Sequence, residues 1–149
     1  MIAALLLAAA PVGVWESWGA FRRDDGDCYA IAAPARSGAA SRVRPFASVA
    51  SRWGRDRRNR IFFRLSTRRT HRGPVTLSVG ERRFTLAGNA TAAWAPDAAT
   101  DLAIVQAMRG QRSMSVAAVS ERGRPFADTY ALPGAATAID AAALACAGR

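Results

Sequence analysis

Apolar and polar residues alternate with a period of two through most of this chain. Ile61, Phe63 and Leu65 are separated by Phe62 and Arg64, and Val75, Leu77 and Val79 by Thr76 and Ser78. Successive strand side chains point to opposite faces, so both segments are predicted as strands with one buried face. Gly80-Glu81 follows the second, and Phe84 and Leu86 resume the period across Arg83 to Ala87, which predicts a hairpin closed by a Gly-X turn. Strands are predicted on the same grounds for Cys28 to Ala33, Phe46 to Trp53, Thr91 to Ala95, Met114 to Ser120 and Phe126 to Leu132. The loop Glu121 to Pro125, with Gly123 and Pro125 as breakers, makes a hairpin of the last two. Val14 to Phe21, which carries Trp15, Trp18 and Phe21 beside Glu16, reads as a further element.

Two segments depart from this period. Asp101 to Arg109 spaces Leu102, Val105 and Met108 three apart, begins after Pro96 and Asp97, and stops at Gly110, as a short helix does. Thr137 to Ala147 has Thr137 and Asp140 spaced as a capping box and puts Ile139, Ala143 and Cys146 on one face, which turns Cys146 toward the core. Short strands at regular spacing with two short helices, one of them C-terminal, predict a mainly β fold, an antiparallel sandwich or barrel.

The first residues form a different pattern. Ile2 to Ala10 is an uncharged apolar run of nine, the length of a signal-peptide h-region and too short to span a bilayer. Residues 1–13 are therefore expected to be a signal peptide cleaved near 10–13, with Ala8-x-Ala10 as the cleavage signal, and 14–149 a single domain. The n-region carries no Arg, and a buried N-terminal helix is the alternative reading. Export agrees with the cysteines: Cys28 and Cys146 lie near opposite ends of the mature chain, as one disulfide closing an oxidised domain would have them. No transmembrane span is expected, and the protein is placed in the periplasm or outside the cell.

Composition narrows the chemistry. Of 149 residues, 35 are Ala, which leaves 40 larger apolar residues, enough for one modest core. All 21 basic residues are Arg, so mechanisms that need a lysine are excluded. One His and two distant Cys do not make a zinc site of ordinary spacing. No G-x-S-x-G surrounds any serine. No catalytic residue, metal or cofactor is expected. His71, in Thr70-His71-Arg72, is a base candidate only in a remote hydrolase reading. Asp24-Asp25-Gly26-Asp27 resembles the opening of a calcium loop but lacks the later ligands, and reads as an Asp-Gly turn. Trp94, alone among alanines, reads as core.

Charge is the strongest remaining signal. Arg52 to Arg72 holds nine Arg and one Asp, a net of +8 out of a total of +10. With Trp53, Phe62 and Phe63 interleaved, this stripe fits an anionic partner, and the competing reading is a solvated strand face with two turns. The candidate contacts are Arg55, Arg57, Arg58, Arg60, Arg64, Arg68, Arg69 and Arg72.

Cys28-Tyr29-Ala30 with Pro34, Val75 to Val79 with Gly80 and Phe84, and Ala93-Trp94-Ala95 stand in order along the chain. Ala107-Met108-Arg109-Gly110, Met114, Val116 and Ser120-Glu121-Arg122-Gly123 follow, then Asp128-Thr129-Tyr130-Ala131-Leu132, Gly134 and Cys146. In this order and spacing, from about Trp18 to Cys146, the chain resembles the invasion-associated locus B family, exported proteins of alphaproteobacterial type. The resemblance implies a small secreted or periplasmic β domain of the cell envelope with no established enzymatic activity, cofactor or catalytic residue. Relatives often carry further cysteines, absent here, and the arginine stripe is not a family trait. The expected function is a non-enzymatic envelope domain that binds an anionic envelope polymer, lipopolysaccharide or an envelope protein. A cytoplasmic nucleic-acid-binding protein using the same stripe is the alternative, disfavoured by the cysteines.

Overall fold

The computed structural model describes residues 9–24, 26–38, 43–52 and 59–147. Ten strands form one antiparallel sheet: β1 (Ala10–Trp15), β2 (Trp18–Arg22), β3 (Asp27–Ala32), β4 (Phe46–Arg52), β5 (Arg60–Arg64), β6 (Val75–Val79), β7 (Arg82–Gly88), β8 (Ala92–Trp94), β9 (Ser113–Val119) and β10 (Pro125–Ala131). Helix α1 (Ala98–Gly110) lies between β8 and β9, and α2 (Ala135–Ala147) ends the described chain. The spatial order is β1-β2-β3-β4-β5-β8-β7-β6-β9-β10. The fold is thus mainly β with a C-terminal helix, as the period-two pattern predicts.

The sheet curls without closing into a barrel. Beyond β3 the chain runs beside β10, where Thr129 accepts from Ala35 at 2.8 Å and donates to the Arg36 carbonyl at 2.8 Å. This is an isolated bridge and not a strand pair. Trp18, wholly buried, reaches the same edge and donates from Nε1 to the Ala131 carbonyl at 2.8 Å. Alternation sends Val49, Ile61, Phe63, Leu77, Val116 and Tyr130 inward to one core; α2 packs on β1 to β4 and α1 on β5 to β7.

Each helix is docked by a different device. Asp97 caps α1 by accepting from the Thr100 N–H at 2.7 Å, while Asp101 on the first turn is buried and accepts from Ile61 N–H of β5 at 3.0 Å. An N-cap carboxylate satisfies a backbone donor that the helix leaves open, and its charge suits the positive end of the dipole. α1 starts earlier than Asp101 because Asp97 is the cap, and it includes Gly110. α2 likewise begins before Thr137, so Thr137 and Asp140 form no capping box. Asp140 instead accepts from both terminal guanidinium nitrogens of Arg109, at 2.7 and 3.1 Å, and joins the helices. That hydrogen bond lowers the Asp140 carboxyl and raises Arg109 from their usual values. The buried face of α2 is Ala135, Ala138, Ile139, Ala142 and Cys146, with Ala142 in the place predicted for Ala143. Cys146 forms the expected disulfide with Cys28, with a Cα–Cα distance of 5.9 Å.

The N-terminal segment differs most from expectation. Val14 to Phe21 is two strands joined at Glu16-Ser17, with Trp15 opposite Trp18 and Glu16 at φ 54°. β1 also begins at Ala10, inside the span assigned to the leader; cleavage after Ala10 would leave nearly all of β1, and cleavage after Gly13 would remove most of it. Gly134, at φ +88°, packs beneath this turn, where an added Cβ would meet the Trp15 carbonyl, its carbon at 2.7 Å. Gly134→Ala is expected to lose about 1–3 kcal/mol, because a left-handed conformation and a backbone collision coincide. Urea denaturation checks this, and a change under about 0.5 kcal/mol would mean that the β1–β2 turn gives way freely.

Candidate anionic-ligand surface

The outer face of the sheet presents aromatic and arginine side chains together. β5 points Ile61 and Phe63 into the core, 1% and 0% exposed, and turns Arg60, Phe62 and Arg64 outward. Strand register then decides the neighbours: Phe46 lies opposite Arg64, Ser48 opposite Phe62, and Phe62 opposite Trp94. The Phe46 and Phe62 rings are 5.8 Å apart, and farther along the face Phe21 stacks on Tyr29 at 5.5 Å. The Arg23 guanidinium lies over Tyr29, 5.1 Å from the ring centre. Trp94 is 37% exposed and belongs to this band, contrary to its reading as core. It sits opposite Phe62, on the face turned away from the interior. Across β1 to β4 the band borders an open groove of about 370 Å³ lined by Val14, Phe21, Ile31, Arg44 and Phe46.

The predicted arginines divide by what holds them. Arg55, Arg57 and Arg58 lie outside the described residues. Arg60 is exposed at the head of β5 and Arg64 is half-buried at its end. Arg68 is exposed and pairs with Glu121 at 3.1 Å. Arg72 is exposed in the turn before β6, as is His71. Arg69 is bound into the fold instead. Its Nε donates to the Asn89 carbonyl at 2.8 Å, and its terminal nitrogens donate to the carbonyls of Thr70, Gly73 and Gly88. With those donors committed to the backbone, Arg69 staples the 70–73 turn to the end of β7 and has little left for a ligand.

Asp128, on the inner face of β10, is a polar centre that the charge pattern does not reveal. Wholly buried, it accepts from Gly38 N–H at 2.8 Å and from Ser66 N–H at 2.9 Å. Two residues on, Tyr130 is buried against Phe63, ring centres 5.8 Å apart, and its hydroxyl has no hydrogen-bond partner. Burial first, and the Asp128 charge second, raise the Tyr130 phenol well above its ordinary value. Asp24, Gly26 and Asp27 belong to the β2–β3 turn, where Gly26 has φ 91° and Arg23 N–H donates to the Asp27 carbonyl at 2.8 Å. Among the described residues no three of His, Cys, Asp and Glu converge as metal ligands would.

No family profile matches the chain, and no curated protein or solved structure matches it.

Proposed function

We propose that this chain is an exported, disulfide-closed β domain of the invasion-associated locus B type that binds an anionic polymer of the cell envelope, without catalysis. The observation that carries the reading is the outer face of β4, β5 and β8, where Arg60 and Arg64 alternate with Phe46, Phe62 and Trp94. Guanidinium groups attract phosphate, sulfate or carboxylate, and exposed aromatic faces stack on the sugar rings between them. A disulfide fits an oxidising compartment, which favours an envelope polymer over nucleic acid in the cytoplasm. Among the described residues no helix is long and apolar enough to cross a membrane.

The test compares two fourfold variants of equal charge. One neutralises Arg60, Arg64, Arg68 and Arg72 to Gln; the other neutralises Arg82, Arg83, Arg109 and Arg112, which are exposed at the β6–β7 turn and the α1–β9 link. The first is expected to weaken retention on lipopolysaccharide or a heparin-like polymer on the order of a thousandfold, at about 1 kcal/mol per arginine, and the second far less. Equal losses would reduce the interaction to net charge and overturn the assignment. Preferential binding of single-stranded nucleic acid, with affinity falling at about 0.7 log per phosphate per log salt, would replace the partner class.

A further inference from the structure

The groove on the outer face of β1 to β4 has a glycine for its floor. Strand register lines up Val14, Gly19 and Ile31 across β1, β2 and β3. Val14 and Ile31 point outward, since their neighbours Trp15, Ala30 and Ala32 pack on the core side. Gly19 between them has no side chain, so the face drops there. The Phe21 ring lies along the drop, and a Cβ added to Gly19 would fall 2.9 Å from its Cε2. Pro45 and Phe46 close the far side, and the space measures about 370 Å³, within the range of ligand sites. Val14 is left 70% exposed. A concave apolar surface of this kind marks a binding site more often than an idle one. Among the described residues that line the groove, Arg44 alone is charged, and it is exposed.

We infer that this groove takes an acyl chain of an anionic envelope lipid, the lipid end of a lipopolysaccharide-like molecule; this rests on the anionic-ligand reading and names the part of the ligand that the groove reads. Apolar walls gain from a hydrocarbon and nothing from a bare phosphate or a polysaccharide chain. The charges give the ligand a direction. Arg44 stands on the β4 side, and Arg64 of β5 lies opposite Phe46, whereas Glu16 stands in the β1–β2 turn beside Ser17 at the other end. An anionic head therefore belongs at β4, with its tail running over Gly19 toward Val14. The length is suitable, since three strand spacings make about 14 Å and an extended hydrocarbon advancing about 1.25 Å per carbon covers that with about a dozen carbons. The groove is also continuous with the aromatic band, because Phe46 belongs to both. One acylated saccharide can thus rest its sugar on Phe62 and Trp94 and its acyl chain in the groove.

The oxidised full chain is titrated, below micelle-forming concentrations, with octyl, decyl and dodecyl phosphate, with uncharged dodecyl maltoside and with inorganic phosphate, while the Gly19 and Ile31 amide signals are followed by NMR. The alkyl phosphates should saturate at one per chain and tighten about twofold per methylene, as half-covered methylenes would, and inorganic phosphate should not saturate. Val14→Asp should weaken dodecyl phosphate at least tenfold by setting a carboxylate against the tail. Arg44→Gln should weaken it about fivefold and leave dodecyl maltoside unchanged. Leu102→Asp, at an apolar residue 61% exposed on α1, should change neither. Arg44→Gln alters only an exposed side chain, so it keeps the test alive if Val14→Asp fails to fold. No saturation, no dependence on tail length, or equal effects of Val14→Asp and Leu102→Asp overturns the groove. So does a dimer in sedimentation that Val14→Asp dissociates, which would make a second copy the occupant. If a heparin-like polymer is retained yet no alkyl phosphate saturates, the groove fails and the surface reading stands. If the alkyl phosphates saturate and no envelope polymer is retained, the reverse holds.

Discussion

Removing the Cys28–Cys146 bridge is expected to destabilise this domain by about 4–5 kcal/mol and to lower its melting midpoint on the order of 10–20 °C. The two cysteines are 118 residues apart in sequence, so the bridge restricts nearly the whole unfolded chain, and loop-closure entropy puts its contribution near the top of the usual range. Local packing adds to this. α2 buries Ala135, Ala138 and Ala142 with Ile139 as its single large apolar anchor, and alanine removes little apolar area from water. The bridge therefore supplies much of what holds α2 against β3, and total stability of a domain this size is only about 5–15 kcal/mol. Denaturant titration of wild type against the Cys28→Ser, Cys146→Ser double variant measures the loss. A change under about 1 kcal/mol would mean that α2 docks without the bridge. Protein recovered from its own cells should refuse alkylation at both cysteines; two alkyl groups added without reduction would end the export reading.

Strands were legible where one face is buried, because burial imposes the period-two pattern; β4, β6 and β8 lie within the spans read from it, and β3, β5, β9 and β10 begin one residue earlier. The β6–β7 and β9–β10 hairpins were legible from Gly80 and Gly123, which take positive φ. The β1–β2 turn was not, since Glu16-Ser17 carries neither Gly nor Pro and a glutamate adopts φ 54° there. Nor was the sheet order. β5 pairs with β8 across the β6–β7 hairpin, and β6 with β9 across β7, β8 and α1; period two says which face is buried without saying what lies alongside. The candidate surface divides in the same way. Arg64 could be placed outward by alternation, but Phe46 opposite it and Trp94 opposite Phe62 come from other strands, so the aromatic band exists only after pairing. Arg69 looked equivalent to Arg68, and four backbone carbonyls, two of them at the end of β7 and just beyond it, make it different.

Asp128 is the second position where a large effect is expected. Asp128→Ala should destabilise the protein by about 2–5 kcal/mol, because it strands the Gly38 and Ser66 N–H donors at once, each worth about 1–3 kcal/mol when buried without a partner. Asp128→Asn keeps one acceptor and should lose about half as much. Tyr130→Phe, by contrast, removes a buried hydroxyl that has no partner and should change stability by less than about 0.5 kcal/mol, or raise it. Equilibrium unfolding of the three variants separates these cases, and a loss from Tyr130→Phe comparable to that from Asp128→Ala would mean that the phenol shares the network. Period two already hints at the residue: Phe126, Asp128 and Tyr130 share the inner face, where a carboxylate has no place unless donors await it. The donors come from the segment after β3 and the end of β5, so one side chain fixes both against β10. Gly38 fits there because an added Cβ would lie 2.6 Å from the Ala127 carbonyl oxygen. The Asp128 carboxylate thus ties both segments at once, so amide exchange at Gly38 and Ser66 should rise together in Asp128→Ala.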